Sequence, residues 1–114
     1  MSKLVAVYGS LKQGFGNHRL LEGSKLLGHT ETRPEWTMYN LGAFPALMKG
    51  GNTQIFIEVY EVSDETFEDL DCLEGYPKFY TREVIDTKYG DAWIYFIDGC
   101  SRTSMSPIVE HGVW

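Results

Sequence analysis

The sequence has few cysteines, sparse histidines and no motif that gathers either type. Only 2 of its 114 residues are cysteine. Cys72 and Cys100 form no Cys-x-x-Cys pair, so they can build neither a zinc site nor a thioredoxin-like motif. We expect two reduced thiols, with one bridge between them as the alternative. His18, His29 and His111 are far apart and outside any His-Glu-x-x-His motif, so no metal site is expected.

The sequence also lacks a basic cluster and a long hydrophobic run. Its formal net charge is -6, which repels phosphate backbones and anionic lipid, so neither nucleic acid nor a membrane is an expected partner. No run approaches the length of a membrane span. The apolar run at residues 4–8 is shorter than the core of a secretory signal peptide, and a cytoplasmic location is therefore expected.

What is present is typical of a sheet-rich globule. Hydrophobic residues make up 43% and aromatic residues 14% of the chain, and its length suits one core, so we expect a single domain over residues 1–114. Residues 4–8 are apolar throughout, which predicts a central strand covered on both faces. Residues 53–62 alternate with the two-residue period of a strand. Less distinct extended segments are expected at 25–33 and 36–41, with a tight piece at 44–47. Residues 80–87 and 92–98 are expected to form two strands joined by a hairpin turn at 89–91. A helical turn is expected at 18–21.

One helix is predicted directly after residue 62. Ser63 stands at the N-cap position, and Gly75 followed by Pro77 ends the helix. Three apolar residues spaced three apart are expected to form its buried stripe: Phe67, Leu70 and Leu73. Three acidic residues are expected to face water: Glu68, Asp69 and Asp71.

The glycines at positions 9, 14 and 16 suggest nucleotide binding, but the residues that nucleotide motifs require are missing. Phe15 follows Gly14 where a P-loop needs lysine, and Arg19 occupies the place of the third glycine of a dinucleotide fingerprint. Ser10 lacks the Gly-x-Ser-x-Gly elbow and an identifiable base, so it is a poor nucleophile candidate. What remains is the strand end at residues 8–11, whose successive N–H groups can converge on an anion. A plain strand-to-loop turn is the alternative.

Glu74 is the acidic residue whose position suggests chemistry. It lies in the last helical turn, where unpaired carbonyls disfavour negative charge and raise its proton affinity. Partial burial between Leu73 and Tyr76 would act in the same direction and suit the carboxyl to proton exchange near neutral pH. The alternative is an ordinary helix-end glutamate in water.

Three blocks of sequence resemble one known family when they are taken together. In chain order they are Tyr8-Gly9-Ser10-Leu11-Lys12 with Gly14, Asn17 and His18; Phe44-Pro45-Ala46-Leu47; and Leu70-Asp71-x-Leu73-Glu74-Gly75-Tyr76-Pro77 with Tyr80 and Arg82. In order and spacing this pattern resembles the γ-glutamyl cyclotransferase-like family over almost the whole chain. The resemblance implies an α+β fold, a mixed curved sheet or small barrel with one or two short helices.

The resemblance also implies a reaction and the residues for it. The α-amine of a γ-glutamyl group attacks the side-chain carbonyl and yields 5-oxoproline plus a free amine or amino acid. Glu74 would be the catalytic acid-base, and no metal or cofactor is implied. Six residues would bind the small-molecule substrate: Tyr8, Gly9, Ser10, Leu11, Tyr80 and Arg82. For the last two the plain alternatives are a core tyrosine and a surface charge.

The chain departs from the family pattern in two places. Ile57 stands where a glycine is frequent, and the closing segment is Gly112-Val113-Trp114 rather than one resembling Gly-Asp-Trp. Both departures concern the far wall of the pocket and therefore the amine side of the substrate. A non-catalytic binding or interaction module on the same fold is the alternative function. The sequence gives no indication of the oligomeric state.

Overall fold

Strands and one long helix make up most of the part of the chain that the structure describes. The computed structural model describes residues 2–9, 18–21, 23–40, 45–76, 78, 80–97 and 108–109. The strands are β1 (Ser2–Val7), β2 (Lys25–Glu31), β3 (Trp36–Asn40), β4 (Pro45–Lys49), β5 (Phe56–Ser63), β6 (Thr81–Thr87) and β7 (Gly90–Phe96). The helix α1 spans Asp64–Glu74, and a short 3-10 helix spans His18–Leu21.

Five strands form one mixed sheet in the order β2-β5-β1-β7-β6. β1 is central, antiparallel to β5 and parallel to β7, and its residues Val5, Ala6 and Val7 are almost fully buried. The prediction of a central, doubly covered strand is confirmed. β3 and β4 pair as a separate two-stranded sheet, which is joined to the end of β7 by a 2.8 Å hydrogen bond from the Ile97 N–H to the Leu47 carbonyl. The expected α+β class with a mixed sheet is confirmed.

The large sheet separates two apolar clusters. Val5 and Val7 belong to the cluster that includes Phe67 and Leu70 of α1. Ala6, on the opposite face, belongs to the cluster that includes residues of the β3–β4 hairpin. Because side chains of a strand alternate between faces, one central strand serves both clusters.

The two ends of α1 are built by the residues that the sequence indicated. The Ser63 hydroxyl accepts a 3.1 Å hydrogen bond from the Thr66 N–H. Gly75 is left-handed with φ of 68°, a conformation that glycine adopts without steric cost. The Gly75 N–H donates to Cys72 O and the Tyr76 N–H to Asp71 O, which is the Schellman pattern of helix ends. The predicted helix is confirmed, and Glu74 is its last residue.

Several local predictions are wrong. Leu73 is 41% exposed, so it does not belong to the buried stripe that was predicted for the helix. Residues 45–47 are not a tight piece but begin β4, where a proline is tolerated because it is the first residue of the strand. The hairpin turn is Lys88–Tyr89, since Thr87 already pairs with Gly90.

The structure also bears on the cysteines and on membrane insertion. Cys72 is exposed and unpaired, whereas Cys100 lies outside the described residues. No helix in the described part of the chain is both long and apolar enough to cross a bilayer.

Candidate active site

Glu74 lies where the end of α1 meets the sheet. Its backbone carbonyl accepts a 3.2 Å hydrogen bond from the Tyr80 N–H, which ties the residue to the chain entering β6. Burial raises the pKa of the Glu74 carboxyl from about 4.5 to about 7. The charge of this carboxyl also contributes to raised pKa values at Tyr8, Tyr80 and Tyr95. The Glu74 charge therefore acts on three phenols that come from three different segments of the chain.

Tyr8 and Gly9 bring the end of β1 to this carboxyl. Tyr8 is only 7% exposed, and its hydroxyl donates a 2.6 Å hydrogen bond to the Tyr95 carbonyl. Burial, followed by the charges of Tyr80 and Glu74, raises the pKa of the Tyr8 phenol well above 10. Gly9 packs against Pro45, because a Cβ added at Gly9 would lie 2.8 Å from Pro45 Cγ. Two predicted binding residues, Ser10 and Leu11, lie outside the described residues.

Tyr80 stands between the core and the site. It is 4% exposed and its hydroxyl donates a 2.7 Å hydrogen bond to the Pro45 carbonyl. Burial first, and the Glu74 charge second, raise the pKa of its phenol. The Tyr8 and Tyr80 phenols each have one hydroxyl proton, and each donates it to a backbone carbonyl. Any further hydrogen bond to the Tyr8 or Tyr80 oxygen must therefore come from a donor such as N–H.

Arg82 is neither a surface charge nor an open pocket side chain. Its Nε and Nη2 donate to the Asp71 carboxylate at 2.9 Å and 3.2 Å. Its guanidinium carbon also lies 4.0 Å from the ring centre of Tyr76, 4.7 Å from that of Trp93 and 4.8 Å from that of Phe67. The head group is thus held by one ion pair and three aromatic rings, an arrangement suited to guanidinium.

Two residues at the site were missed by sequence reasoning. Asp71 was expected to face water, yet it is half-buried and also accepts a 2.6 Å hydrogen bond from the Tyr95 hydroxyl. Burial alone would raise the pKa of Asp71, but the hydrogen bonds from Arg82 and Tyr95 lower it overall. Tyr95 carries no local signal beyond being an apolar strand position. Both were missed because their partners are distant in sequence.

The structure thus brings Glu74, Tyr8, Gly9 and Tyr80 to one place and ties Arg82 to Asp71 beside it. Among the described residues, no group of three histidine, cysteine or acidic side chains is arranged to hold a metal. A separate groove of about 210 Å³ lies between residues 32–36 and β6. Its lining contains none of the predicted site residues.

The arrangement is suited to proton exchange. A carboxyl with a pKa of about 7 is present in both protonation states near neutral pH, the condition under which general acid-base catalysis is efficient. The Tyr8 and Tyr80 hydroxyls already donate to backbone carbonyls, so their oxygens remain available to accept a hydrogen bond from a substrate. Fold and site together define a small α+β protein with a buried, titratable carboxyl at the end of its helix.

The family of this chain follows from comparison with known sequences. The sequence model described as "Gamma-glutamyl cyclotransferase, AIG2-like" matches residues 5–114, and the chain belongs to this family. It is 42% identical over 114 residues, covering 100% of this chain and 96% of the relative, to a Vibrio cholerae protein named "Putative gamma-glutamylcyclotransferase". It is 32% identical over 114 residues, covering 96% of this chain and 94% of the relative, to the gamma-glutamylcyclotransferase family protein YtfP of Escherichia coli.

Solved structures agree with this assignment. An uncharacterised protein from Pyrococcus horikoshii superposes with a TM-score of 0.83 at 30% identity, covering 97% of this chain and 88% of the other. The solution structure of Escherichia coli ytfP gives 0.76 at 33% identity, with 100% and 96% covered. A mouse aig2-like protein gives 0.84 at 21% identity, with 99% and 88% covered, a likeness that concerns the fold alone.

Proposed function

We propose that this protein is a cyclotransferase that converts a small γ-glutamyl amine or γ-glutamyl amino acid to 5-oxoproline and the free amine. Glu74 is the acid-base of this reaction. The observation that carries the proposal is the largely buried Glu74 carboxyl, with a pKa of about 7, whose charge acts on the phenols of Tyr8 and Tyr80. Membership of the γ-glutamyl cyclotransferase family supports the reaction class.

The proposed reaction needs few protein groups because nucleophile and electrophile belong to one substrate. Holding the glutamyl part folded supplies much of the effective concentration. Ionised Glu74 takes a proton from the α-ammonium, and the freed amine attacks the side-chain carbonyl carbon. The new C–N bond closes the five-membered ring. Glu74 then returns this proton to the leaving nitrogen as its bond to that carbon breaks. The ring nitrogen still carries one proton too many, which Glu74 takes and passes to the released amine; the products are a neutral lactam N–H and an ammonium, so the protons balance.

The phenols of Tyr8 and Tyr80 suit the nitrogen side of this substrate. Their hydroxyl protons are used on Tyr95 O and Pro45 O, so their oxygens can accept an N–H from an ammonium. Backbone N–H groups of the turn at Gly9, Ser10 and Leu11 are proposed to hold the α-carboxylate or the developing oxyanion.

The test is a direct assay for 5-oxoproline. The protein is incubated with a panel of γ-glutamyl amines and γ-glutamyl dipeptides, and 5-oxoproline is measured by chromatography. Glu74→Gln should lose at least about a hundredfold in turnover. Glu68→Gln, an exposed glutamate on the same helix, is the matched control and should keep full activity.

Two outcomes contradict this proposal. No turnover of any substrate in the panel, or equal turnover by the Glu74→Gln variant, excludes Glu74 as the acid-base. Saturable binding of a γ-glutamyl compound without turnover would instead indicate a non-catalytic binding module. The single domain over residues 1–114, the cytoplasmic location and the independence of any cofactor stay predictions alongside this one.

A further inference from the structure

Asp71 and Glu74 are two carboxyls one helical turn apart whose surroundings differ sharply. Asp71 is paired with Arg82 and hydrogen-bonded by Tyr95, and these contacts lower its pKa overall against the effect of its partial burial. Glu74 has its pKa raised by burial alone. When the pKa values of two neighbouring carboxyls are shifted in opposite directions, one typically stays ionised and the other exchanges protons.

Asp71 contacts both the turn that follows α1 and a tyrosine of β7. Its backbone carbonyl accepts the Tyr76 N–H at 3.0 Å, which closes the turn directly after Glu74. Its carboxylate accepts the Tyr95 hydroxyl at 2.6 Å. The Tyr95 carbonyl in turn accepts the Tyr8 hydroxyl at 2.6 Å. Two short hydrogen bonds, one to the side chain and one to the backbone of Tyr95, therefore link the helix that carries Glu74 to the residue that follows β1.

Arg82 anchors the Asp71 end of this link. Its fork binds both Asp71 oxygens, and bidentate pairs of this kind fix geometry as well as charge. The three rings around its guanidinium restrict any other orientation. The Nε–Nη2 edge of Arg82 is therefore already occupied by Asp71.

We propose that Asp71, Arg82 and Tyr95 form a positioning network that holds Glu74 against Tyr8, and that the Asp71–Arg82 pair cancels its own charge beside Glu74. This inference rests on the proposed function in so far as the Glu74 position serves catalysis. It assigns Arg82 a positioning role instead of the substrate contact that the sequence suggested.

The charged groups around Glu74 make this proposal testable through pH. Among the described residues, the Glu74 charge acts on the phenols of Tyr8, Tyr80 and Tyr95. Tyr95 and Arg82 both bind the Asp71 carboxylate. Elsewhere on the elements packed against α1, Arg19 is exposed and Lys3 pairs with Asp64 at the opposite helix end. On β5, the Tyr60 hydroxyl donates to the Glu58 carboxylate, and Glu61 is exposed. Loss of one member of the Asp71–Arg82 pair therefore leaves one nearby charge uncompensated.

Single and double variants of Asp71 and Arg82 distinguish the effect of charge on the Glu74 pKa from the effect of positioning on kcat. Asp71→Asn leaves Arg82 unpaired and should lower the pKa of Glu74 by roughly one unit, moving the acid limb of the rate profile to lower pH. Arg82→Gln leaves the Asp71 anion and should raise that pKa by a similar amount. In the double variant the pKa of Glu74 should return to its wild-type value, whereas kcat should stay low. Each variant should lower kcat by about tenfold to a hundredfold with KM nearly unchanged, as expected when a reacting group is misplaced.

The measurements are the pH dependence of kcat and the titration of the Glu74 side-chain carboxyl carbon by NMR. The NMR titration needs no turnover, so it tests the network even if no 5-oxoproline is formed and the proposed function fails. Tyr95→Phe removes one hydroxyl and serves where Asp71→Asn folds poorly; it should lower kcat in the same way. Asp69→Asn, exposed on the same helix, should change neither rate nor titration. A raised KM with unchanged kcat in Arg82→Gln, or shifts of the same sign in the two single variants, overturns the proposal.

Discussion

Gly9 lies so close to Pro45 that no side chain fits between them. A Cβ at Gly9 would be 2.8 Å from Pro45 Cγ and 3.0 Å from Cδ, and Pro45 is buried. The φ of Gly9 is not positive, so this position needs glycine for space rather than for backbone conformation. The contact holds the end of β1 against the start of β4.

Gly9→Ala should therefore lower the free energy of unfolding by roughly 1–3 kcal/mol, the range for forcing extra atoms into a packed site. Denaturant unfolding measures this change. Pro45→Ala removes the ring atoms that the new methyl would meet, so the cost of Gly9→Ala should be clearly smaller in that background. Equal costs in the two backgrounds would show that the contact is not the cause.

Tyr8→Phe tests the hydrogen bond that joins β1 to β7. The variant leaves the buried Tyr95 carbonyl without its 2.6 Å donor, and an unsatisfied buried acceptor costs about 1–3 kcal/mol. Thermal unfolding should show a lower midpoint than that of the wild type. Tyr89→Phe, in the β6–β7 turn, is a control for loss of a phenol hydroxyl away from the site. Comparable losses in the two variants would contradict a special role for the Tyr8 bond.

Gly75→Ala tests the turn that ends α1 at Glu74. The left-handed φ of 68° costs a residue with a Cβ about 1–2 kcal/mol, whereas asparagine tolerates it better. Unfolding free energies should therefore rank glycine above asparagine and asparagine above alanine. In the activity assay, turnover should follow the same order because the turn positions Glu74. A reversed order of asparagine and alanine would exclude the conformational explanation.

The features that sequence reasoning predicted well are those fixed by local chemistry. Ser63 and Gly75 act on backbone groups three or four residues away, so their roles in capping α1 were readable from the sequence. The buried run at Val5–Val7 was readable because a strand covered on both faces needs apolar residues on both. Glu74 as the last residue of the helix followed from the same local signals.

The features that sequence reasoning missed depend on contacts between distant segments. Asp71 resembles any acidic residue on a helix until Arg82 and Tyr95 approach it from β6 and β7. Leu73 continues the three-residue spacing of Phe67 and Leu70 but lies at the last turn, where the helix leaves the core. Pro45 opens a strand that its composition did not indicate, since pairing with β3 decides it. Tertiary packing overrode local propensity in each case.

The raised pKa of Glu74 also predicts how stability depends on pH. The pKa is about 7 in the folded state and near 4.3 in an unfolded chain. Between these values the folded state holds a proton that the unfolded state has lost, so the free energy of unfolding falls as pH rises from about 4.5 to about 7. The carboxyl retains some exposure, so we expect this contribution to be roughly 2 kcal/mol rather than the full value of the shift.

Glu74→Gln removes that titration while keeping a side chain of similar shape. The variant should match the wild type near pH 4.5 and exceed its free energy of unfolding by roughly 2 kcal/mol near pH 8. Chemical denaturation at a series of pH values in both proteins gives the difference, in which titrations common to both proteins cancel. Glu68→Gln, exposed on the same helix, should keep the wild-type dependence. A Glu74→Gln variant that loses stability with rising pH as the wild type does would show that Glu74 is ionised at ordinary pH, and it would remove the physical basis for the proposed acid-base role.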